Sequence, residues 1–346
     1  MSDFDPNAAG TGSGIYGLPY TVDEARVVLV PVPFEATTSY GGGTAGGPDA
    51  IATASHQVDL FDHETGTPYT AGIAMLPVDA RVRAWNDEAR SDVRRWRDVH
   101  ALGVNATQLG PELQRVDACC EAVNGWLHDA VKQQLDAGKI VGTVGGDHGA
   151  VFGAIAAHAE RWPGLGILHF DAHCDLRHAY EGFAWSHASI MDNVVHRLPG
   201  VARLVQVGIR DYCEEERDAI AASGGLIRAW FDADLARARF EGATWAQQTA
   251  HIVAELPAQV YVSFDVDGLD PRLCPHTGTP VPGGLDFLQA SYLLGAVVRS
   301  GRRIVGFDLV EVAPDPGGDE WDANVGARLL YKLIGWTLRS QSSPAP

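Results

Sequence analysis

Six short apolar, β-branched runs punctuate the chain: RVVLVPVPF (26–34), KIVGTV (139–144), LGILHF (165–170), RLVQVGI (203–209), QVYVSF (259–264) and RRIVGFDLV (302–310). Continuous hydrophobicity over about four to eight residues is what a strand buried on both faces requires. Between the runs lie helical stretches. ELQRVDACCEAVNGWLHDAVKQQLDAG (112–138) is closed by Gly138, and DFLQASYLLGAVVRSG (286–301) is opened by Asp286 and closed by Gly301. Strands alternating with helices predict an α/β fold with a parallel sheet covered by helices on both faces.

The bulk numbers bound the remaining choices. With 346 residues and 46% hydrophobic content, one large α/β domain is expected over residues 21–340, between flexible tails at 1–20 and 341–346. Residues 80–110 break the rhythm, being rich in Arg and Trp, and are expected to form an insertion, an assembly surface or a solvated helix and loop. A formal charge of −18 argues against nucleic acid or an anionic membrane as partner and suits a cationic small molecule. The start, MSDFDPNAAGTGSG, has acids where a signal peptide carries basic residues, and no run of about 20 apolar residues follows. Five cysteines, an odd number with two adjacent, fit reduced thiols and a cytoplasmic setting.

In open α/β sheets the ligand lies beyond the carboxyl ends of the strands. The residues directly after the apolar runs are therefore the informative ones. KIVGTV leads into Gly145-Gly146-Asp147-His148, and LGILHF into Asp171-Ala-His173-Cys-Asp175. QVYVSF leads into Asp265-Val-Asp267-Gly, and the last run ends at Glu311. Side chains at i, i+2 and i+4 share one face of extended chain, so Asp171, His173 and Asp175 can converge, as can Asp265 and Asp267, while Cys174 points away. Four carboxylates so close together cannot all stay ionised unless cations lie among them. Oxygen-rich ligands with a little imidazole suit Mn²⁺, with Ni²⁺, Co²⁺ or Zn²⁺ as competitors. His169, His178 and His276 are set outside the ligand group, His169 because it lies one step deeper in its strand.

These motifs, in this order, resemble the ureohydrolase family of arginase, agmatinase, guanidinobutyrase and formiminoglutamase. The resemblance runs through VPVPFEATTSYGGGTAGGPDAI, GGDHG, HFDAHCDLR, WSHASIM, VGIRD, SFDVDGLDP, TGTPVPGGL and GFDLVEVAP, and spans about residues 26–335 apart from 80–110. It implies a three-layer α/β/α domain with a central parallel sheet, two Mn²⁺ per subunit, and a homo-oligomer, a trimer or hexamer. By motif position, His148, Asp171, Asp175 and Asp265 would hold one ion. His173, Asp171, Asp265 and Asp267 would hold the other, with Asp171 and Asp265 shared. The implied reaction is cleavage of a guanidino C–N bond to release urea, with Glu311 pairing with the guanidinium, Asp175 moving a proton to the departing nitrogen and His187 exchanging protons with solvent. Thr279 is expected to shape the loop beside the substrate.

The substrate tail stays open at this level. SYGGGTAGGPDAIATASHQVDLFD is similar to agmatinase-type members, which points to agmatine. Positions where arginases hold the amino-acid head group carry Arg177 and Asp211-Tyr212-Cys213 here. An Arg177 facing the cleft would repel an ammonium and favour a carboxylate; an Arg177 paired with Glu181 or another acid would be neutral in that choice. Arginine, guanidinobutyrate, formiminoglutamate and free guanidine are the alternative substrates, and a non-catalytic regulatory subunit is the alternative of a different kind. Glu214-Glu215-Glu216 is expected to be a solvated acidic patch.

Overall fold

The structure, a computed structural model, describes residues 4–8, 10, 12–101 and 110–342. The described residues form one parallel sheet of eight strands, β1 (Val27–Val32), β2 (Ile73–Met75), β3 (Ile140–Gly145), β4 (Leu165–Phe170), β5 (Val201–Ile209), β6 (Ile227–Phe231), β7 (Gln259–Asp265) and β8 (Arg303–Val310). Their order across the sheet is β2-β1-β3-β8-β7-β4-β5-β6. The six expected runs are all strands. The two that were not expected are the edges: β2 is three residues long, and β6 is exposed or half-buried beyond its first residue. An edge strand needs no continuous apolar run, so neither left one in the sequence.

Alternation along the strands builds two cores. Leu168, Phe170, Val260, Val262, Phe264, Phe307 and Leu309 face one side, with helices α1 (Gly47–Ala54), α7 (Asp232–Phe240), α8 (Trp245–Ala254), α9 (Phe287–Arg299) and α10 (Trp321–Ser342). The other side takes Val30, Val32 and Val141 with α2 (Ala80–Ala101), α3 (Gly110–Asp136) and α4 (Phe152–Arg161). Ile167, Tyr261 and Val305 continue that side under α4 and α5 (Ile190–Arg197). The result is the expected three-layer α/β/α arrangement. Gly138 and Gly301 stop α3 and α9 with φ of 76° and 83°, and Asp286 caps α9 by accepting from Leu288 N while its own backbone N–H donates to Gln289 Oε1.

Three boundaries differ from expectation. The N-terminal tail ends before residue 20, because Ile15, Tyr16 and Leu18 are buried; Tyr16 packs its ring on Tyr331 and donates its hydroxyl to Ala327 O at 3.0 Å. Helix α10 runs to Ser342, past the expected limit at 340, and residues 343–346 lie outside the described region. Helix α2, from the Arg- and Trp-rich segment, is built into the fold. Val82, Ala89, Val93 and Trp96 are buried with residues of α3, and Arg115 on α3 grips Asp92 at 2.7 and 2.9 Å. Residues 102–109 of that segment lie outside the described region. Among the described residues no helix is long and apolar enough to cross a membrane.

Candidate metal centre and active site

The four strands whose ends carry the acids and imidazoles, β3, β8, β7 and β4, are neighbours in the middle of the sheet. β3 and β4 are consecutive in sequence, yet β8 and β7 lie between them. That is a switch point of the sheet, the place where α/β folds open a crevice. His148 begins a short 3₁₀ turn (His148–Val151) after β3, Asp171 directly follows β4, Asp265 ends β7, and Asp267 lies in the 3₁₀ turn Val266–Gly268. Gly146 lets the loop after β1 lie on the loop after β3, since a Cβ there would sit 2.0 Å from Phe34 O.

The side chains converge in two groups. His148 Nδ1 lies 3.1 Å from Asp171 Oδ2, 3.1 Å from Asp175 Oδ2 and 3.5 Å from Asp265 Oδ2. His173 Nδ1 lies 3.0 Å from Asp267 Oδ2 and 3.4 Å from Asp171 Oδ1. Asp171 thus offers one oxygen to each group. Asp265 Oδ1 accepts the backbone N–H of Asp267 at 2.8 Å. Thr279 donates its hydroxyl to Asp267 Oδ2 at 3.3 Å. His148 Nε2 lies 2.9 Å from Ser263 Oγ, which donates to Asp308 Oδ1 at 3.0 Å. With the hydroxyl proton committed to Asp308, Ser263 accepts from Nε2–H, which leaves Nδ1 facing the carboxylates. Burial lowers His148, but its hydrogen bonds to Asp171, Asp175 and Asp265 outweigh it and raise the imidazole well above its ordinary value.

Electrostatics tests whether cations fit here. Burial and then the Asp171 charge push Asp175 up to about 7. Burial and then Asp267 and Asp171 push Asp265 well above the usual carboxylate range, and burial with Asp265 and Asp147 does the same for Glu311. His173 is pushed up to about 12, because Asp267 and Asp171 outweigh a burial that acts the other way. The cluster is therefore starved of positive charge, and its oxygen and imidazole donors are of the types that bind divalent metals. Groups His148, His169, Asp171, Asp175 and Asp171, His173, Asp267 each bring ligand atoms within 4.8 Å of one another.

A cavity of about 280 Å³ opens onto this cluster, lined by His148, His173, Asp175, Asp265 and Glu311 and also by Arg177, Tyr180, His187 and Asp211. Glu311 Oε1 accepts the His148 N–H at 3.0 Å, while Oε2 is buried with no hydrogen-bond partner among the described residues. His187 donates its backbone N–H to Thr37 Oγ1 at 3.0 Å, and its ring nitrogens lie 3.4 Å from Thr37 Oγ1 and 3.3 Å from Ser39 Oγ. Burial, helped by His173 and Arg97, lowers His187 to about 3, so its ring is neutral. Arg177 both faces the cavity and leans on an acid. That acid is Glu216, at 3.8 Å, with the guanidinium over the Tyr180 ring at 5.0 Å; Glu181 belongs instead to Arg97, at 2.6 Å. Glu216 is buried, unlike the solvated residue expected, because its carboxylate accepts from Leu176 N and Cys213 N.

Several contributors escaped sequence reasoning. Ser263, Asp308 and Gln206 are polar residues in the buried parts of apolar strands, and that anomaly was a usable signal. Glu35 had no local signal: its carboxylate accepts from Gly43 N, Ala45 N and Thr44 Oγ1 and pairs with Arg90 of α2, which shapes the loop bearing Thr37 and Ser39.

A parallel sheet with carboxylate and imidazole groups that could hold metal gathered over its switch point, opening on a small polar cavity, is the layout of a dinuclear metallohydrolase. The chain belongs to the Arginase family, whose sequence model matches residues 25–335. It is 33% identical over 313 residues to the N(1)-aminopropylagmatine ureohydrolase of Thermus thermophilus, covering 90% of each chain. To the agmatinase of Bacillus anthracis it is 34% identical over 316 residues, 91% of this chain and 93% of that one. The crystal structure of agmatine ureohydrolase of Thermoplasma volcanium shares the fold, with a TM-score of 0.71 at 23% identity over 94% of each chain.

Proposed function

We propose that this protein hydrolyses the guanidino C–N bond of agmatine or a close cationic relative, releasing urea and, from agmatine, putrescine. The observation that carries the reading is Glu311 Oε2, a buried carboxylate oxygen with no hydrogen-bond partner among the described residues, in the cavity that holds the metal-ligand types. A guanidinium is the planar cation that such a carboxylate binds best. Relatives named agmatinase and N(1)-aminopropylagmatine ureohydrolase support the same substrate class.

His148, Asp171, Asp175 and Asp265 would hold one Mn²⁺, and His173, Asp171, Asp265 and Asp267 the second, with Ni²⁺, Co²⁺ or Zn²⁺ as competitors. When bound, the cations supply the positive charge that makes water acidic enough to attack a resonance-stabilised guanidinium at neutral pH. Glu311 holds the guanidinium plane, Asp175 carries a proton at a carboxylate oxygen toward the departing nitrogen, and neutral His187 exchanges protons between cavity and solvent. Thr279 holds Asp267. A second reading, a guanidino acid such as guanidinobutyrate, is favoured by Arg177, whose side chain lines the cavity; Asp211, which lines it too, favours an amine tail. All five cysteines are free, in keeping with a cytoplasmic setting, and a trimer or hexamer is the assembly we assign by family. A non-catalytic subunit has no need of Glu311 and the ligands around one cavity.

The test is a panel of agmatine, N(1)-aminopropylagmatine, arginine, guanidinobutyrate, formiminoglutamate and guanidine, with urea, ammonia and formamide read out on Mn²⁺-loaded and metal-stripped protein. Agmatine or its aminopropyl derivative is expected to turn over fastest, and only with metal. Asp265→Ala is expected to lose bound Mn²⁺ in elemental analysis and lose turnover with it. Equal metal content in that variant and the wild type would refute the ligand set.

A further inference from the structure

His169, buried in β4 two residues before Asp171, is set outside the ligand group by the sequence, yet its Nε2 lies 2.8 Å from Asp171 Oδ2. Its other nitrogen settles what it does. Nδ1 lies 3.0 Å from Gln206 Nε2, and that same amide nitrogen lies 2.7 Å from Cys174 O. A carbonyl oxygen only accepts, so the Gln206 atom facing it is the NH₂ and not the amide oxygen. One of its hydrogens goes to Cys174 O and the other to His169 Nδ1, which is therefore the accepting nitrogen. Neutral His169 then carries its proton on Nε2 and donates it to Asp171 Oδ2. A protonated Nε2 has no lone pair to give a metal, so His169 leaves the ligand group in which its position places it.

We propose that Gln206 and His169 are positioning residues that, by a relay of hydrogen bonds from β5 to β4, hold the Asp171 carboxylate in the plane that serves both histidine groups. Asp171 Oδ1 is pinned by the His173 N–H at 2.6 Å. With the His169 N–H on Oδ2, rotation about the Cβ–Cγ bond breaks a hydrogen bond at each oxygen. Both relay residues are buried, His169 and Gln206 at 0% exposure, so water cannot replace a lost partner. The inference rests on Asp171 being the shared ligand of the proposed function.

Mn²⁺ affinity, followed by the electron paramagnetic resonance of free Mn²⁺, tests it on wild type, His169→Phe and His169→Gln. Phe keeps the ring volume without a donor, whereas Gln keeps an amide N–H near the position of Nε2. Mn²⁺ binding is expected to weaken roughly 10- to 100-fold in His169→Phe and to recover at least partly in His169→Gln. Unchanged affinity in His169→Phe, or equal loss in both variants, would overturn the proposal. Long-range ¹H–¹⁵N spectra of the metal-free wild type read the tautomer directly even if a variant does not fold: Nε2–H at His169 is expected, and Nδ1–H overturns the relay. Wild-type protein that binds no Mn²⁺ would instead sink the ligand assignment beneath it.

Discussion

Asp175 and Glu311 hold their backbones in the left-handed region, with φ of 54° and 62°, where a side chain other than glycine costs about 1–3 kcal/mol. Both are over-determined by their neighbours. Asp175 O accepts from Met191 N and Asp192 N at 3.0 and 3.1 Å, and Glu311 N donates to Gly146 O at 2.8 Å. His187 is positioned differently, by hydroxyls of a loop far away in sequence, and among the described residues its ring joins neither candidate ligand group. His187→Ala is expected to keep its metal while kcat falls by about 10²–10⁴-fold. Elemental analysis beside steady-state kinetics checks both halves, and retained kcat would remove the proton-exchange role.

Helix α2 is the element whose importance composition concealed. Its Arg97 donates to Glu181 Oε2 at 2.9 and 2.6 Å, to Thr38 O at 2.8 Å and to Thr37 O at 3.2 Å, tying together the two loops that meet at His187. Arg97→Ala is expected to cost about 1–3 kcal/mol in urea unfolding and to lower kcat, and Arg97→Lys to rescue little, since an ammonium cannot reproduce the planar fork. A second tie joins the Thr279 loop to the start of α10. His276 donates its backbone N–H to Asp322 Oδ1 at 3.0 Å, and its Nδ1 lies 2.8 Å from Asp322 Oδ2. The Asp322 hydrogen bond, against a small burial effect and with further help from the Asp322 charge, raises His276 above 6.5. A raised histidine stabilises the fold fully below its unfolded value of 6.5 and loses that contribution as pH climbs through its folded value. Thermal midpoints should therefore fall more between pH 6 and 9 in the wild type than in His276→Gln; parallel profiles would count against this tie.

At the scale of the whole molecule, the proposed ligands belong to the ends of three central strands, β3, β4 and β7, whereas the packing beneath them is carried by Val, Ile, Leu and Phe on both faces of the sheet. Metal should thus act as a clasp on a fold that stands without it. Stripping Mn²⁺ is expected to lower the unfolding midpoint by roughly 5 °C or more, by mass action at two sites, with far-ultraviolet circular dichroism unchanged at 25 °C. Loss of that signal on chelation would mean the sheet itself depends on the ions. Most of this architecture was legible beforehand. The six central runs became strands, and the ligand types after them met at one rim, because a strand's period of two and its burial are written within a few neighbouring residues. The edge strands, the buried N-terminal residues and the role of α2 were not legible. Their residues are stabilised by partners such as Glu181 for Arg97, 84 positions away, or Ala327 for Tyr16, 311 positions away. By itself the sequence determined which residues face inward along each element and which chemical groups end each central strand. Only the tertiary structure decided the order of those strands, the choice of Glu216 over Glu181 for Arg177, and the direction of the proton on His169. Such choices depend on which distant segments are brought within about 3 Å of a side chain, and no local pattern records that.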